Sequence, residues 1–140
     1  MKTVQVLIVD DCAATRKLVQ GALCRAPVAV TLHNGPQCGI IRVQIKALQA
    51  ANAADAVAIM SENHIDLVFS DINMPGMDGM EFLRQLRSAE KTKDIPVVMI
   101  TADASASRVT QALAHGAQAY LRKPFSVQEV RDRTERVLQI

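Results

Sequence analysis

Short apolar runs and helical stripes alternate along this chain from one end to the other. Val4 to Val9 is apolar at Val4, Val6, Leu7, Ile8 and Val9 and stops at two acids, Asp10 and Asp11. So short and continuous a run predicts a strand buried on both faces of a parallel sheet. Ala13 to Arg25 carries Leu18, Val19, Ala22 and Leu23 at helical spacing, and Pro27 ends that helix. Arg42 to Ala47 alternates, with Val43 and Ile45 on one side and Arg42, Gln44 and Lys46 on the other, which predicts an edge strand with one wet face. Ala53 to Glu62 is a helix with Ala56, Val57 and Met60 inward. Asp66 to Ser70 is a buried strand with Asp71 at its carboxyl end. Asn73 to Gly79 is rich in breakers and reads as a loop. Met80 to Ser88 is a helix with Phe82, Leu83 and Leu86 as its apolar stripe, and Pro96 to Ile100 is a buried strand closing on Thr101. Ser105 to His115 is a helix with Gly116 placed to end it, Ala119 to Leu121 is a short strand, and Ser126 caps a last helix to about Leu138.

Strands alternating with helices in this way predict an α/β fold, a doubly wound, five-stranded parallel sheet covered on both faces. In such sheets ligands bind outside the carboxyl ends of the strands, where the strand order reverses. The residues at those ends are Asp10, Asp11, Asp71, Thr101 and Lys123, and all but Thr101 ionise.

Length and charge narrow the function classes. With 140 residues, 49% of them hydrophobic, the chain fits one domain over 1–140 with a core that needs no staples. No apolar run approaches the roughly 18 residues of a membrane span, and the Met1-Lys2-Thr3 start has no signal-peptide core, so no membrane association and a cytoplasmic location are expected. Cys12, Cys24 and Cys38 are odd in number and unpaired by spacing, which reads as reduced thiols. His33, His64 and His115 form no metal-ligand pair. A net charge of +2 is too small to argue for nucleic acid, but no acid occurs between Arg16 and Asp55 while Lys17, Arg25, Arg42 and Lys46 do. That stretch is either a solvated basic surface or a docking face.

Three convergent carboxylates repel one another unless a cation or a proton intervenes. An all-oxygen site with few protein ligands suits Mg²⁺. A carboxylate beside such an ion can attack phosphorus to give an acyl phosphate, a reaction needing little beyond positioning and charge neutralisation. Lys123 can supply a further positive group and the Thr101 hydroxyl a hydrogen bond.

The Asp10-Asp11 pair, Asp71 in Asp71-Ile72-Asn73-Met74-Pro75-Gly76-Met77-Asp78-Gly79, Thr101-Ala102 and Lys123-Pro124-Phe125, in this order, resemble a response-regulator receiver domain of two-component signalling. The resemblance covers the chain apart from about 26–40. It implies a flavodoxin-like sheet in the order 2-1-3-4-5 and a phosphoprotein that takes its phosphoryl group from a histidine kinase or phosphotransfer protein. Asp71 would be the acceptor. Asp11, Asp71 and the Asn73 main-chain carbonyl would ligate Mg²⁺, with Asp10 acting through a metal-bound water. Lys123 would pair with the phosphoryl oxygens, Thr101 would move to bond one of them, and Tyr120 would turn inward as Thr101 moves. The Lys123-Pro124 bond would be cis. Asn73 and Asp103 would flank the attacking water and tune dephosphorylation towards fairly quick self-hydrolysis.

Each residue also has a plainer account. Asp10 could cap the helix that follows, Thr101 could simply end a strand, Tyr120 could be partial core, and Lys123 could be solvated. Asp78 is assigned to the loop turn with Gly79 rather than to metal, and Asp55, Asp66 and Asp94 to caps and loops.

The chain departs from the family between the first helix and the second strand, where residues 26–40 are extra. Val28, Val30 and Leu32 alternate with Ala29 and Thr31, a breaker-rich segment follows, and alternation resumes at Ile41. This is open to three accounts: a β-hairpin laid antiparallel on the open edge of the second strand, a disordered insertion, or a dimerisation or docking element.

In function, the leading expectation is a stand-alone receiver, similar to the single-domain chemotaxis regulators, that signals to a downstream protein target as a monomer or weak dimer. It would be no enzyme beyond its own phosphorylation and dephosphorylation and would touch no nucleic acid directly. A receiver fragment of a longer regulator is the alternative. An aspartyl-phosphate phosphatase would need a second acid two residues after a first-strand nucleophile, where Cys12 stands. A nucleotide module would need a glycine-rich loop after the first strand, and none is there.

Overall fold

The computed structural model describes residues 1–34, 37–74, 76–102 and 105–138, without the side chains of 32–34, 37, 38 and 106. The elements run β1 (Lys2–Val9), α1 (Ala13–Cys24), β2 (Val28–Asn34), β3 (Gln37–Ala50), α2 (Ala53–Glu62), β4 (Leu67–Asp71), α3 (Gly79–Ser88), β5 (Val97–Thr101), α4 (Ala106–Ala114), β6 (Ala119–Arg122) and α5 (Val127–Val137). The sheet order is β2-β3-β1-β4-β5-β6, with β3, β1, β4, β5 and β6 parallel and β2 antiparallel to β3. The expected 2-1-3-4-5 order is therefore present, and the sheet has six strands rather than five because the insert adds one.

The continuous apolar runs form the central strands because both faces are covered. All five residues of β4 and of β5 are buried. Val4, Val6, Ile8 and Phe69 meet α1 and α5 on one face, while Leu7, Val9, Val68 and Met99 meet the opposite face with Phe82 and Leu83 of α3. Helix ends follow their local chemistry. Asn52 accepts from the Asp55 N–H at 2.8 Å and Asp78 from the Glu81 N–H at 2.9 Å, and Ser126 and Glu129 form a capping box. Gly116 follows α4 at φ 100°, a conformation that glycine adopts without strain. Two expected core positions are not core. Leu18 is 42% and Val57 48% exposed, because Val19, Ala22 and Leu23 suffice on α1 and Ala53 and Ala56 on α2.

The insert is a hairpin. β2 pairs with β3 from Val28↔Val43 to Asn34↔Gln37, while β1 begins beside β3 only at Lys2↔Val43. The hairpin therefore projects past the amino-terminal end of β1. Val28 and Val30 are nevertheless buried, packed in the cluster that includes Val130 and Leu138. Arg131 of α5 holds the base of the arm, donating to the carbonyls of Ala22 (3.0 Å), Ala26 (3.1 Å) and Pro27 (2.7 Å). The strand expected over Arg42–Ala47 is longer than its alternation suggested, and β2 covers its outer edge only as far as Val43.

Candidate functional site

The parallel sheet brings its carboxyl ends to one rim. β1 delivers Asp10 and Asp11, β4 delivers Asp71, β5 delivers Thr101, and the turn after β6 delivers Lys123. The order β1-β4-β5-β6 places Asp71 between the acids on one side and the threonine and lysine on the other. Ligand oxygens of Asp10, Asp11 and Asp71 lie within 4.8 Å of one another. Lys123 Nζ stands 3.2 Å from an oxygen of Asp10 and 3.2 Å from one of Asp71. The other Asp71 oxygen accepts from the Asn73 N–H at 3.1 Å. Thr101 is buried, its carbonyl accepts the Lys123 N–H at 2.8 Å, and the Lys123-Pro124 peptide is cis. Tyr120 is half-buried on β6, opposite Met99 in register. The Asn73 side chain is exposed, and Asp103 lies outside the described residues.

Asp10 is not a helix cap. Its Oδ1 accepts from the Cys12 N–H at 2.8 Å in a local turn, Cys12 precedes α1 with no side-chain cap, and Asp10 is fully buried. Asp78 caps α3 and stays outside the acidic cluster, as its turn assignment requires. Two supporting residues had no signal strong enough to single them out. Arg16, one helical turn into α1, donates to the Asp10 carbonyl at 2.6 Å and to Gln49 at 3.0 Å, tying the β1–α1 loop to the end of β3. Gly79 lies directly under Asp71, where an added Cβ would come within 2.1 Å of the Asp71 carbonyl oxygen.

The electrostatics favour positive charge at this cluster. Burial pushes the Asp10 carboxyl above its ordinary range; the Cys12 N–H opposes this, the Asp71 charge adds to it, and Lys123 opposes it in turn. For Lys123, burial pulls the ammonium down, but the charges of Asp71 and Asp10 and the bonds to both outweigh it, so its pKa is raised. Asp10 Oδ2 is buried, and beyond its ion contact with Lys123 it has no hydrogen-bond partner among the described residues. A buried, under-satisfied carboxylate oxygen beside two further carboxylates is a donor set that fits a hard cation, and the cluster could hold one metal ion.

A stability consequence follows for the metal-free protein. Because the folded pKa of Asp10 is raised, the native state holds that proton more tightly than the unfolded chain. This carboxylate therefore weakens the fold at neutral pH and less so as pH falls through its folded pKa. Asp10→Asn should stabilise the chelator-treated protein by about 1–2 kcal/mol at pH 7, and the advantage should shrink towards pH 4. Thermal melts of both proteins across that range check it; no advantage at neutral pH contradicts it.

This layout belongs to a known class. The family model for the response regulator receiver domain matches residues 6–135, and the chain belongs to that family. It is CheY-like. It is 28% identical over 138 residues to the chemotaxis protein CheY-3 of Vibrio cholerae serotype O1, covering 99% of this chain and 94% of that protein. The phosphate regulon transcriptional regulatory protein PhoB of Pseudomonas aeruginosa is 35% identical over 96% of this chain, which spans 51% of that longer protein. Among solved structures, the chemotaxis response regulator CheY4 of Vibrio cholerae superposes with a TM-score of 0.81 at 28% identity, over 98% of this chain and 100% of that one. The protein is thus a receiver domain of two-component signalling, a family of signalling proteins that interact with histidine kinases and downstream targets. Among the described residues, no helix is long and apolar enough to cross a membrane.

Proposed function

We propose that the chain, as one receiver domain over 1–140, accepts a phosphoryl group on Asp71 from the phosphohistidine of a histidine kinase or phosphotransfer protein. An Asp71 oxygen forms the new bond to phosphorus, the nitrogen–phosphorus bond breaks, and the imidazole leaves. The observation carrying this reading is the placement of Asp71 between an acidic cluster and a lysine, with one carboxylate oxygen held by the Asn73 N–H and the other by Lys123. Asp10, Asp11, Asp71 and the Asn73 carbonyl would hold Mg²⁺, which when bound would offset the charge gathering on the phosphoryl oxygens. Lys123 is already at the acceptor and neutralises further negative charge there.

Thr101 and Tyr120 carry the response. Thr101 ends β5 beside Asp71, and Tyr120 lies half-buried on the neighbouring β6; as in the family, Tyr120 would turn inward as Thr101 moves. Asn73 and Asp103 tune the lifetime. The output is protein–protein contact in the cytoplasm with a downstream target, without direct contact to nucleic acid.

Incubation with Mg²⁺ and a small phosphodonor should add one phosphate mass to the intact protein, and chelation of the ion should suppress the adduct. No adduct with Mg²⁺ present overturns the reading. A full adduct in excess chelator overturns the metal's part in it.

A further inference from the structure

Half of the outer edge of β3 is open. β2 flanks it only from Gln37 to Val43, while β1 runs along the inner side from Val43 to Ala50. From Gln44 to Ala50 no strand lies against the outer side among the described residues. The Ala50 carbonyl accepts from Asp10 N–H on the inner side, and successive peptide groups alternate, so Ile45, Ala47 and Gln49 turn theirs outward. The Cys24 thiol marks that direction: it donates to the Ile45 carbonyl at 3.4 Å and also bonds the Ala47 main chain. A thiol is a weak stand-in there, one that a peptide strand would outcompete.

Beside this edge run two adjoining hollows of about 450 and 530 Å³ that share Cys24 and Arg25. Their charged lining is cationic throughout: Lys17 and Arg25 from α1 and its end, and Lys46 from β3. Arg42 and Lys46 project from the face of β3 opposite Val43 and Ile45, whereas α1 lies over the Val43–Ile45 face. A strand entering the groove would therefore meet positive charge on both of its faces. None of Lys17, Arg25, Arg42 and Lys46 is in an ion pair among the described residues, and no acid occurs in the sequence between Arg16 and Asp55.

We propose that this edge receives an extended, acidic segment of a partner protein, added to the sheet as a strand beside Gln44–Gln49. Main-chain hydrogen bonds to Ile45, Ala47 and Gln49 would hold it, and Lys17, Arg25 and Lys46 would select its acidic side chains. The groove contains no aromatic ring to stack a base, which separates it from a single-strand nucleic-acid channel. The inference is independent of the chemistry at Asp71 and is tested on the unphosphorylated full chain.

The probe is a labelled, end-blocked heptapeptide alternating glutamate and valine, followed by fluorescence anisotropy and by amide hydrogen exchange. The expected result is salt-sensitive binding with slowed exchange at the Ile45, Ala47 and Gln49 amides. Arg25→Glu with Lys46→Glu, both at exposed positions, should weaken binding by about tenfold or more. Hydrogen exchange on the wild-type chain reads the site without any variant. Failure to bind, binding without protection of those amides, or equal binding of an oligonucleotide of the same charge would each overturn the proposal.

Discussion

Asp71→Asn is expected to take up no phosphoryl group under conditions that load the wild-type protein. Asparagine preserves the shape of the side chain, and its oxygen can still accept from the Asn73 N–H, but an amide has no nucleophilic oxygen of comparable strength. The fold should survive. Asp71 adds to the burden on buried Asp10, so its neutralisation relieves a repulsion, and Lys123 keeps Asp10 as a partner. Stability should therefore stay within about 1 kcal/mol of wild type. Intact mass after incubation with Mg²⁺ and a small phosphodonor checks the first half, and a urea titration the second. An adduct that persists in the folded variant would place the acceptor elsewhere.

Gly79→Ala should be among the most damaging single-methyl substitutions available in this chain. The new Cβ would fall 2.1 Å from the Asp71 carbonyl oxygen, 2.7 Å from Ile72 Cα and 2.9 Å from the Asp71 carbonyl carbon. All three are backbone atoms, so no rotamer change relieves the clash. β4 cannot retreat, because it is bonded to β1 on one side and β5 on the other. The Gly79 N–H also donates to the Ile72 carbonyl at 2.7 Å, holding the two segments together. Overpacking against such a wall costs about 3 kcal/mol or more, and the displaced loop should disturb Asp71 as well. Gly21→Ala is the control. Nothing lies within 4 Å of its added Cβ inside α1, and it should gain about 0.5–1 kcal/mol. Urea midpoints with unchanged slopes would confirm both signs; a Gly79→Ala protein as stable as wild type would show that β4 can yield.

Much of the site was legible because its chemistry falls at strand ends, and strand ends are where an apolar run stops. Val4–Val9 ends on Asp10 and Asp11, and Leu67–Ser70 on Asp71. Once strands alternate with helices, the parallel sheet follows, and with it the convergence of those ends. The burial states were not legible. Adjacent Asp10 and Asp11 look alike in sequence, yet one is fully buried and the other exposed: past the end of β1, Asp10 is still tied to the Ala50 carbonyl and to the Cys12 N–H, while Asp11 stands on the bend that follows. Nor did helical spacing tell that Leu18 and Val57 face water, since a stripe is wider than the sheet surface it must cover.

The insert divides in the same way. Alternation at Val28–Leu32 and again from Ile41 indicates a hairpin, because period-two patterning is local. How far the hairpin covers its neighbour depends on the register at Val28↔Val43 and on where β1 starts, and both are settled by packing against α5 through Val28, Val30 and Arg131. By itself, then, the sequence determined which chemical groups exist and at which strand ends they stand, since periodicity and chain breaks act over a few residues. The tertiary structure decided which acid is starved of water, which glycine has no room for a methyl group, and which stretch of β3 stays open. Those outcomes depend on atoms distant along the chain coming within a few ångströms of one another, and no local pattern encodes that distance.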